Sequence, residues 1–279
     1  MVVGTGSAVS KFKVGDEVWS RLKNDYRGSI AEYALASPTT TELKPKSLTF
    51  SQAAAVPLAG MTALQSLDRG EKELGSLKGK TVYIPGGLSG TGSFAVQMAK
   101  NVFGARKVIT TLSPGKIAKA KELLGNGTPD QIIDYTKEDV KAAVGKGSVD
   151  FMFDPVAGTL SSLSLMKKDG VVVSISMMPS GSDMKRNYPK MAGWLVMMLN
   201  LVDRLFSSWV SWHNVRYSYL ILQSDKGDLK RMAQFCDEGK VVPIIGRQVK
   251  MEDIEGLRKG CQESLDGKGG LGKFVIDIA

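Results

Sequence analysis

A chain of 279 residues, 43% hydrophobic and 23% charged, is long enough for one large domain or two ordinary ones, and its composition excludes a disordered or fibrous protein. Two cysteines, Cys236 and Cys261, and a single histidine, His213, exclude a disulfide framework, a four-thiolate structural zinc lobe and a two-histidine metal site, and they fit a reducing compartment. The net charge of +9 is carried by scattered lysines with no accompanying motif, which argues against a nucleic-acid partner.

Residues 1 to about 45 read as short strands and turns, with a turn into a strand at 14–18 and another strand at 29–34. The start of the chain, Met1-Val2-Val3-Gly4, has neither the charge nor the apolar run of a signal peptide. Residues 51–67 read as a helix with Ser51 as its N-cap. From Lys80 strands and helices alternate: strand 81–84, a glycine-rich turn from Gly86 to Gly92, helix 93–103, strand 107–111, helix 116–124, strand 131–135, helix 137–144, then strands 149–153 and 171–176. That alternation predicts a parallel sheet covered on both faces. Residues 192–212 are apolar but interrupted by Asp203 and Arg204. Trp194, Met198, Leu201, Leu205, Trp209 and Trp212 recur there at three- and four-residue steps, which predicts an amphipathic helix and no stable membrane insertion. Core packing or a cover over a substrate cleft is its first reading, a dimer contact the second, a membrane-surface helix the third. A strand at 217–222, a helix at 228–238 and a β tail ending at 273–278 complete the chain.

The segment from Val82 to Gly92 runs strand, tight turn, helix, a setting in which backbone approaches a pyrophosphate at a helix N-terminus. Ser89 breaks a strict G-x-G-x-x-G pattern, and the variant G-x-x-G-x-G fits through Gly87, Gly90 and Gly92, with Thr91 between them. The following strand ends in Thr110-Thr111-Leu112-Ser113 with Lys116 beyond and no acid. NAD enzymes place an acidic residue there to hold the ribose 2′-hydroxyl, so a hydroxyl and an ammonium point to the 2′-phosphate of NADP. The plainer account of Lys116 is a solvated helix face.

These residues resemble the medium-chain dehydrogenase/reductase superfamily, in its zinc-free quinone oxidoreductase and enoyl reductase branch, and within it the fungal zinc-type alcohol dehydrogenase-like proteins. Residues 9–18 resemble the family's "V-x-x-F-x-x-G-D-x-V" turn, residues 54–63 its "A-A-x-P-x-x-G-x-T-A" segment, and residues 90–100 its "G-V-G-x-x-A-x-Q-x-A-K" helix start. Ile133-Asp134-Tyr135 matches "I-D-Y", and residues 272–275 the terminal "G-K-x-V". The resemblance implies an α/β fold: a Rossmann-type doubly wound parallel sheet plus an incomplete GroES-like β-barrel catalytic domain. Residues 1–50 would be the partial catalytic domain, 51–225 the NADP-binding domain with an apolar helical insertion at 185–213, and 226–279 the return to the catalytic domain.

By the same resemblance the cofactor is NADPH, with Thr62 near the nicotinamide and Gly90 and Gly92 at the pyrophosphate. Ser113, Lys116 and Tyr135 would surround the 2′-phosphate, residues 154–156 with Ser174, Ile175 and Ser176 would line the cofactor, and Leu220, Leu222 and Lys273 would complete the cleft. The implied reaction is hydride transfer to a quinone, enone or enoyl-type carbonyl, on a small apolar substrate and without a metal; no catalytic acid is named, and Tyr26, Tyr33, Tyr217 and His213 are more simply structural. A homodimer through the strand at 217–222 and a cytoplasmic location are expected, mitochondrial if an N-terminal segment is missing. Two departures matter. The segment 57–60 lacks the cysteine of zinc-dependent relatives. Relatives also carry on the order of 60 residues before the "G-D-x-V" turn, a sizeable part of a typical domain, so the chain is expected to be a fragment, a mis-started product or a shortened protein with open strand edges. The alternatives are a zinc-type alcohol dehydrogenase-like enzyme and a catalytically impaired NADPH-binding protein.

Overall fold

Where the sequence turns continuously apolar it builds strands with both faces covered, and where it alternates it builds short strands with one wet face. The computed structural model describes residues 1–22, 28–177, 179–267 and 270–278; Tyr26 lies outside them. In chain order the elements are β1 (Val18–Ser20), β2 (Thr41–Leu43), α1 (Phe50–Ala55), α2 (Pro57–Leu74), β3 (Thr81–Pro85), α3 (Gly92–Asn101), β4 (Lys107–Leu112), α4 (Pro114–Leu124), β5 (Gln131–Asp134), α5 (Val140–Val144), β6 (Val149–Asp154), α6 (Thr159–Ser162), β7 (Met166–Ser174), α7 (Gly181–Asn187), α8 (Gly193–Trp212), β8 (Val215–Tyr219), α9 (Lys226–Asp237), β9 (Ile245–Lys250), α10 (Ile254–Leu265) and β10 (Lys273–Asp277). They fall into two units, one of residues 1–62, 88–94 and 222–279, the other of residues 63–87 and 95–221.

The second unit holds a parallel six-stranded sheet in the order β5-β4-β3-β6-β7-β8. This is the doubly wound order, which reverses direction between β3 and β6. All five residues of β3 are buried, as are most of β4 and β6. Gly70 on α2 lies against the Phe151 ring so closely that a Cβ would stand 2.3 Å from it, which is why the helix can pack flat on the sheet. Asp150 ties the strand starts together, accepting from the Thr81 N–H at 2.8 Å and from Lys167 at 2.8 Å.

The first unit holds two small sheets, an antiparallel β1-β2 pair and a parallel β9-β10 pair. Side chains join its distant segments: Ser47 donates to Asp237 at 2.7 Å and Ser51 donates to Asp277 at 2.9 Å. Gly260 on α10 gives way to the Phe274 ring, which would lie 2.4 Å from a Cβ there.

Three expectations are corrected here. Residues 29–34 form bends and open chain; Ile30, Tyr33 and Leu35 are exposed, and a segment without a ladder partner keeps its backbone groups in water. The N-cap of the helix near residue 51 is Thr49, not Ser51. The Thr49 hydroxyl accepts from the Gln52 N–H at 3.2 Å while the Gln52 side chain accepts from the Thr49 N–H at 3.0 Å, a capping box, and Pro57 then starts a separate helix. Both cysteines read from the sequence as ordinary buried thiols; Cys236 is buried, but Cys261 is exposed.

Candidate functional site

The carboxyl ends of the parallel strands carry the site, because strand order reverses there and leaves a crevice between neighbouring loops. In the second unit β3 ends at Pro85 and Gly86 turns the chain at φ 67. Gly87 follows: its N–H donates to the Thr110 hydroxyl at 2.8 Å, and a Cβ would stand 2.3 Å from that oxygen. Thr110 in turn donates to the Ile84 carbonyl at 2.6 Å. The turn is thus pinned to the neighbouring strand, and Gly87 shapes it by lacking a side chain.

Across the reversal, β6 ends in Asp154, whose carboxylate is wholly buried. It accepts from the N–H groups of Val156 at 3.1 Å, Gly158 at 2.9 Å and Thr159 at 2.8 Å, and from the Thr159 hydroxyl. A carboxylate out of water is tolerated only when its lone pairs are satisfied in this way. The turn it organises holds Ala157 at φ 59, a left-handed conformation that costs an L-residue about 1–2 kcal/mol. The Ala157 N–H donates to the Ser176 hydroxyl at 2.6 Å, and Ser176 and Ser174 both donate to the Asp154 carbonyl, at 3.0 and 3.2 Å. The Ile175 N–H donates to that same carbonyl at 3.2 Å, and the Leu220 N–H donates to the Ser174 carbonyl at 2.9 Å. Ser174, Ile175, Ser176 and Leu220 are therefore brought together with the Asp154 loop as one hydrogen-bonded group.

The end of β4 gives Ser113, which occupies the N-cap position of α4 without making a side-chain cap bond. Lys116 follows in the first turn of α4, half-buried, and burial holds its ammonium below the ordinary lysine pKa. Tyr135 stands just past the end of β5, exposed, and lines a cavity of about 360 Å³ together with Pro85, Thr111 and Gly158. Ser113 and Lys116 do not line that cavity.

In the first unit Gly90 and Lys273 come together: a Cβ on Gly90 would meet Lys273 Cδ at 3.1 Å and the Gly272 carbonyl oxygen at 3.3 Å. The Gly272 N–H donates to the Leu88 carbonyl at 2.9 Å, fixing the glycine loop to the start of β10. Burial lowers the Lys273 pKa. The Gly92 N–H donates to the Ser89 hydroxyl at 3.0 Å at the head of α3, with Thr91 half-buried beside it. Thr62 is buried and its hydroxyl donates to the Leu58 carbonyl at 2.7 Å, one turn back in α2. Leu222 is half-buried, with no bond to the glycine loop among those described. This unit also contains a cavity of about 790 Å³, lined by residues including Val3, Phe12, Tyr33 and Leu35, and none of the predicted site residues lines it.

Sequence reasoning gave Asp154 only as part of a loop and Thr110 only as part of a strand end, without its role beneath the glycine turn. A threonine inside an otherwise apolar buried strand is the signal that would have found it, since its hydroxyl needs a partner. Of the tyrosines considered as proton donors, Tyr33 is exposed, whereas burial, with Asp203 and Asp154 nearby, raises the Tyr217 phenol well above its ordinary range. His213 is exposed, its ring edge-on to Trp209, with Nδ1 3.1 Å from the Trp209 carbonyl oxygen. Among the described residues no group of three or more His, Cys, Asp or Glu could hold a metal ion. No helix among the described residues is long and apolar enough to cross a membrane.

Residues 129–256 match the zinc-binding dehydrogenase family. The chain is 38% identical over 182 residues to a 2-methylene-furan-3-one reductase of Solanum lycopersicum, covering 63% of this chain and 44% of that protein. It is 36% identical over 182 residues to an NADPH-dependent alkenal/one oxidoreductase of Arabidopsis thaliana chloroplasts, covering 63% of this chain and 45% of that one. The quinone oxidoreductase of Coxiella burnetii superposes with a TM-score of 0.76 at 28% identity, over 99% of this chain and 76% of that structure. With the doubly wound sheet and the glycine turn already in view, these matches make the chain similar to zinc-binding dehydrogenases over residues 129–256 and, over part of their length, to alkenal/one and quinone oxidoreductases. It spans about half the length of the two plant relatives.

Proposed function

We propose that this protein binds NADPH and transfers hydride to an enone, quinone or enoyl-type carbonyl of a small apolar substrate, without a metal. The observation that carries the reading is the end of β4, where an uncapped Ser113 and the half-buried Lys116 stand in place of the acid that a 2′-hydroxyl would require. A partly desolvated ammonium three residues on from a hydroxyl that makes no cap bond suits a phosphate dianion. When bound, the nicotinamide supplies the hydride; the chain supplies binding and orientation. In the second unit the bonded group of Ser174, Ile175, Ser176 and Leu220 offers fixed strand-end backbone, and Tyr135 a face beside Pro85 and Thr111. In the first unit Gly90, Thr91 and Gly92 give close backbone approach for a pyrophosphate, and Lys273 brings a cation beside Gly90. Thr62 and Leu222 complete the proposed set. The plant relatives' names, an alkenal/one oxidoreductase and a furanone reductase, support an activated alkene as acceptor.

A location in the cytoplasm, or in an organelle as for the chloroplastic and mitochondrial relatives, and a homodimer through β8 belong to the same proposal. Titration of the purified chain with NADPH and NADH, read by tryptophan fluorescence, tests it. Replacing Lys116→Ala removes a charge-assisted contact worth about 1.5–3 kcal/mol, so NADPH should weaken about ten- to a hundredfold while NADH binding stays within about twofold. Equal loss for both cofactors would reject the phosphate assignment.

A further inference from the structure

The helix α8 has one fixed face and one bare one. Its inner face is anchored within the second unit: Val210 is wholly buried, Phe206 packs edge-on to Tyr217 at 4.8 Å, and the Asn200 side chain accepts from the Ser182 N–H at 2.9 Å. Core packing does not account for the opposite face, a stripe of Trp194, Met197, Leu201, Leu205, Trp209 and Trp212, each between 42% and 85% exposed. At 100° per residue these six fall within about one third of the helix circumference, along about 27 Å of its length. Three of the chain's four tryptophans are among them. At ~150–250 Å² apiece, the three partly exposed indoles alone present roughly 400 Å² of apolar surface. That already matches the ~300–600 Å² of the largest patch on a typical monomer, before the neighbours are added.

The charge around the stripe is one-sided. The helix carries two ionisable groups, Asp203 and Arg204. Asp203 is half-buried on the inner side near Tyr217, whereas Arg204 is exposed at the edge of the stripe. Lys185, Arg186 and Lys190, all exposed, lead into the helix, and Arg186 is paired with Asp183 at 3.7 Å. At the other end Trp209 and His213 join Lys141, Lys146, Ser161 and Ser164 in the wall of a cavity of about 470 Å³. No carboxylate is among the described residues that line it. Glu138 and Asp139, just ahead of Lys141, already accept from the Asp134 and Lys141 N–H groups at 3.0 and 2.9 Å. Two ammonium groups and two hydroxyls suit a phosphate ester, and Trp209 makes this cationic cavity continuous with the apolar stripe.

We propose that α8 is a lipid-facing surface, by which the protein lies on one leaflet of an anionic phospholipid bilayer. Tryptophan is favoured at the headgroup level, where its apolar ring and its N–H both find suitable surroundings. The stripe would sink into the boundary between headgroups and acyl chains while Lys141, Lys146 and Arg204 meet lipid phosphates. A second copy laid on this face would set cation against cation, whereas an anionic leaflet neutralises them. The surface does not depend on the cofactor residues or on the strand edge of β8, so it stands or falls independently of the proposed activity and holds for a single chain or a pair.

Co-sedimentation of the purified full chain with vesicles tests this. Binding to phosphatidylcholine/phosphatidylserine vesicles is expected to be about tenfold or more tighter than to phosphatidylcholine alone, and to weaken as salt screens the charges. Tryptophan emission should shift to the blue on binding, because the exposed indoles leave water. Trp194→Gln with Leu201→Gln should weaken binding by about tenfold or more through lost apolar area. Both side chains are exposed, so the circular dichroism spectrum and the melting temperature should stay unchanged. Lys141→Gln with Lys146→Gln should weaken binding on the order of ten- to thirtyfold on the anionic vesicles and less than about twofold on phosphatidylcholine alone. A wild-type chain that stays in the supernatant with both vesicles, a stripe variant that binds like the wild type, or a lysine variant that keeps its preference for the anionic vesicles would each overturn the proposal. So would a chain that ignores vesicles but forms larger assemblies that the stripe variant dissolves, which would make the stripe a protein contact.

Discussion

The two units reach order by different means. In the second, strands of Val, Ile, Phe and Met are buried along nearly their whole length and pair in one continuous parallel sheet. In the first, β1 and β2 are three residues each, and β9 alternates wet and half-buried positions. There the chain is tied by individual polar bonds such as Ser47 to Asp237 and Ser51 to Asp277, each joining segments about 200 residues apart. Hydrophobic burial gives many small contacts that fail together, whereas point ties fail singly and cost about 1 kcal/mol each.

The contrast can be broken most forcefully at Phe151, fully buried beneath Gly70. Phe151→Ala should lower unfolding stability by about 3–5 kcal/mol through lost transfer energy and the cavity left behind, measured by urea denaturation; a loss under 1 kcal/mol would show that the sheet is not the stability centre. A smaller effect is expected in the first unit from Thr49→Ala, which removes half of a capping box and should cost about 1 kcal/mol. A loss as large as that of Phe151→Ala would erase the distinction drawn here.

The smallest effect concerns pH. Burial first, and the Asp237 charge second, push the Cys236 thiol from 9.0 up to about 12. Because the folded value lies above the unfolded one, the stabilisation is fully present below about pH 9 and is lost as pH rises toward 12. Stability of the wild type should therefore fall more steeply over that window than that of Cys236→Ala, and equal slopes would remove the thiol from the account. A thiol reagent at pH 8 should meanwhile modify the exposed Cys261 and leave Cys236 untouched until the chain unfolds.

What could be read from the sequence follows the same division. The alternation after Lys80 was legible because buried parallel strands are written as unbroken apolar runs, and the glycine turn because its setting between strand and helix is local. The helix α10 was not: Gly256 and Gly260 lower its helical signal, and the need for glycine at 260 comes from Phe274, fourteen places on and beyond any local pattern. The alternating strand β9 escaped for a similar reason, since its partner β10 lies more than twenty residues away. In the candidate site the glycines, Ser113 and Lys116 could be named in advance. The support beneath them could not, because the buried Asp154 and the Thr110 hydroxyl acquire their partners only when the strands are side by side.

The first unit is assembled from three stretches of chain, with residues 1–62 waiting for residues 222–279. During synthesis the ribosome must add about 160 residues between the two, which at ~5–20 residues per second takes on the order of ten seconds or more. Through that interval Ser47 and Ser51 are without Asp237 and Asp277, their partners in the finished protein, while the strands that form the six-stranded sheet emerge one after another. The nascent chain therefore carries its own early segment as an unpaired hazard, and a chaperone engaging the first sixty residues would protect the protein at the stage when it is most open to misassembly.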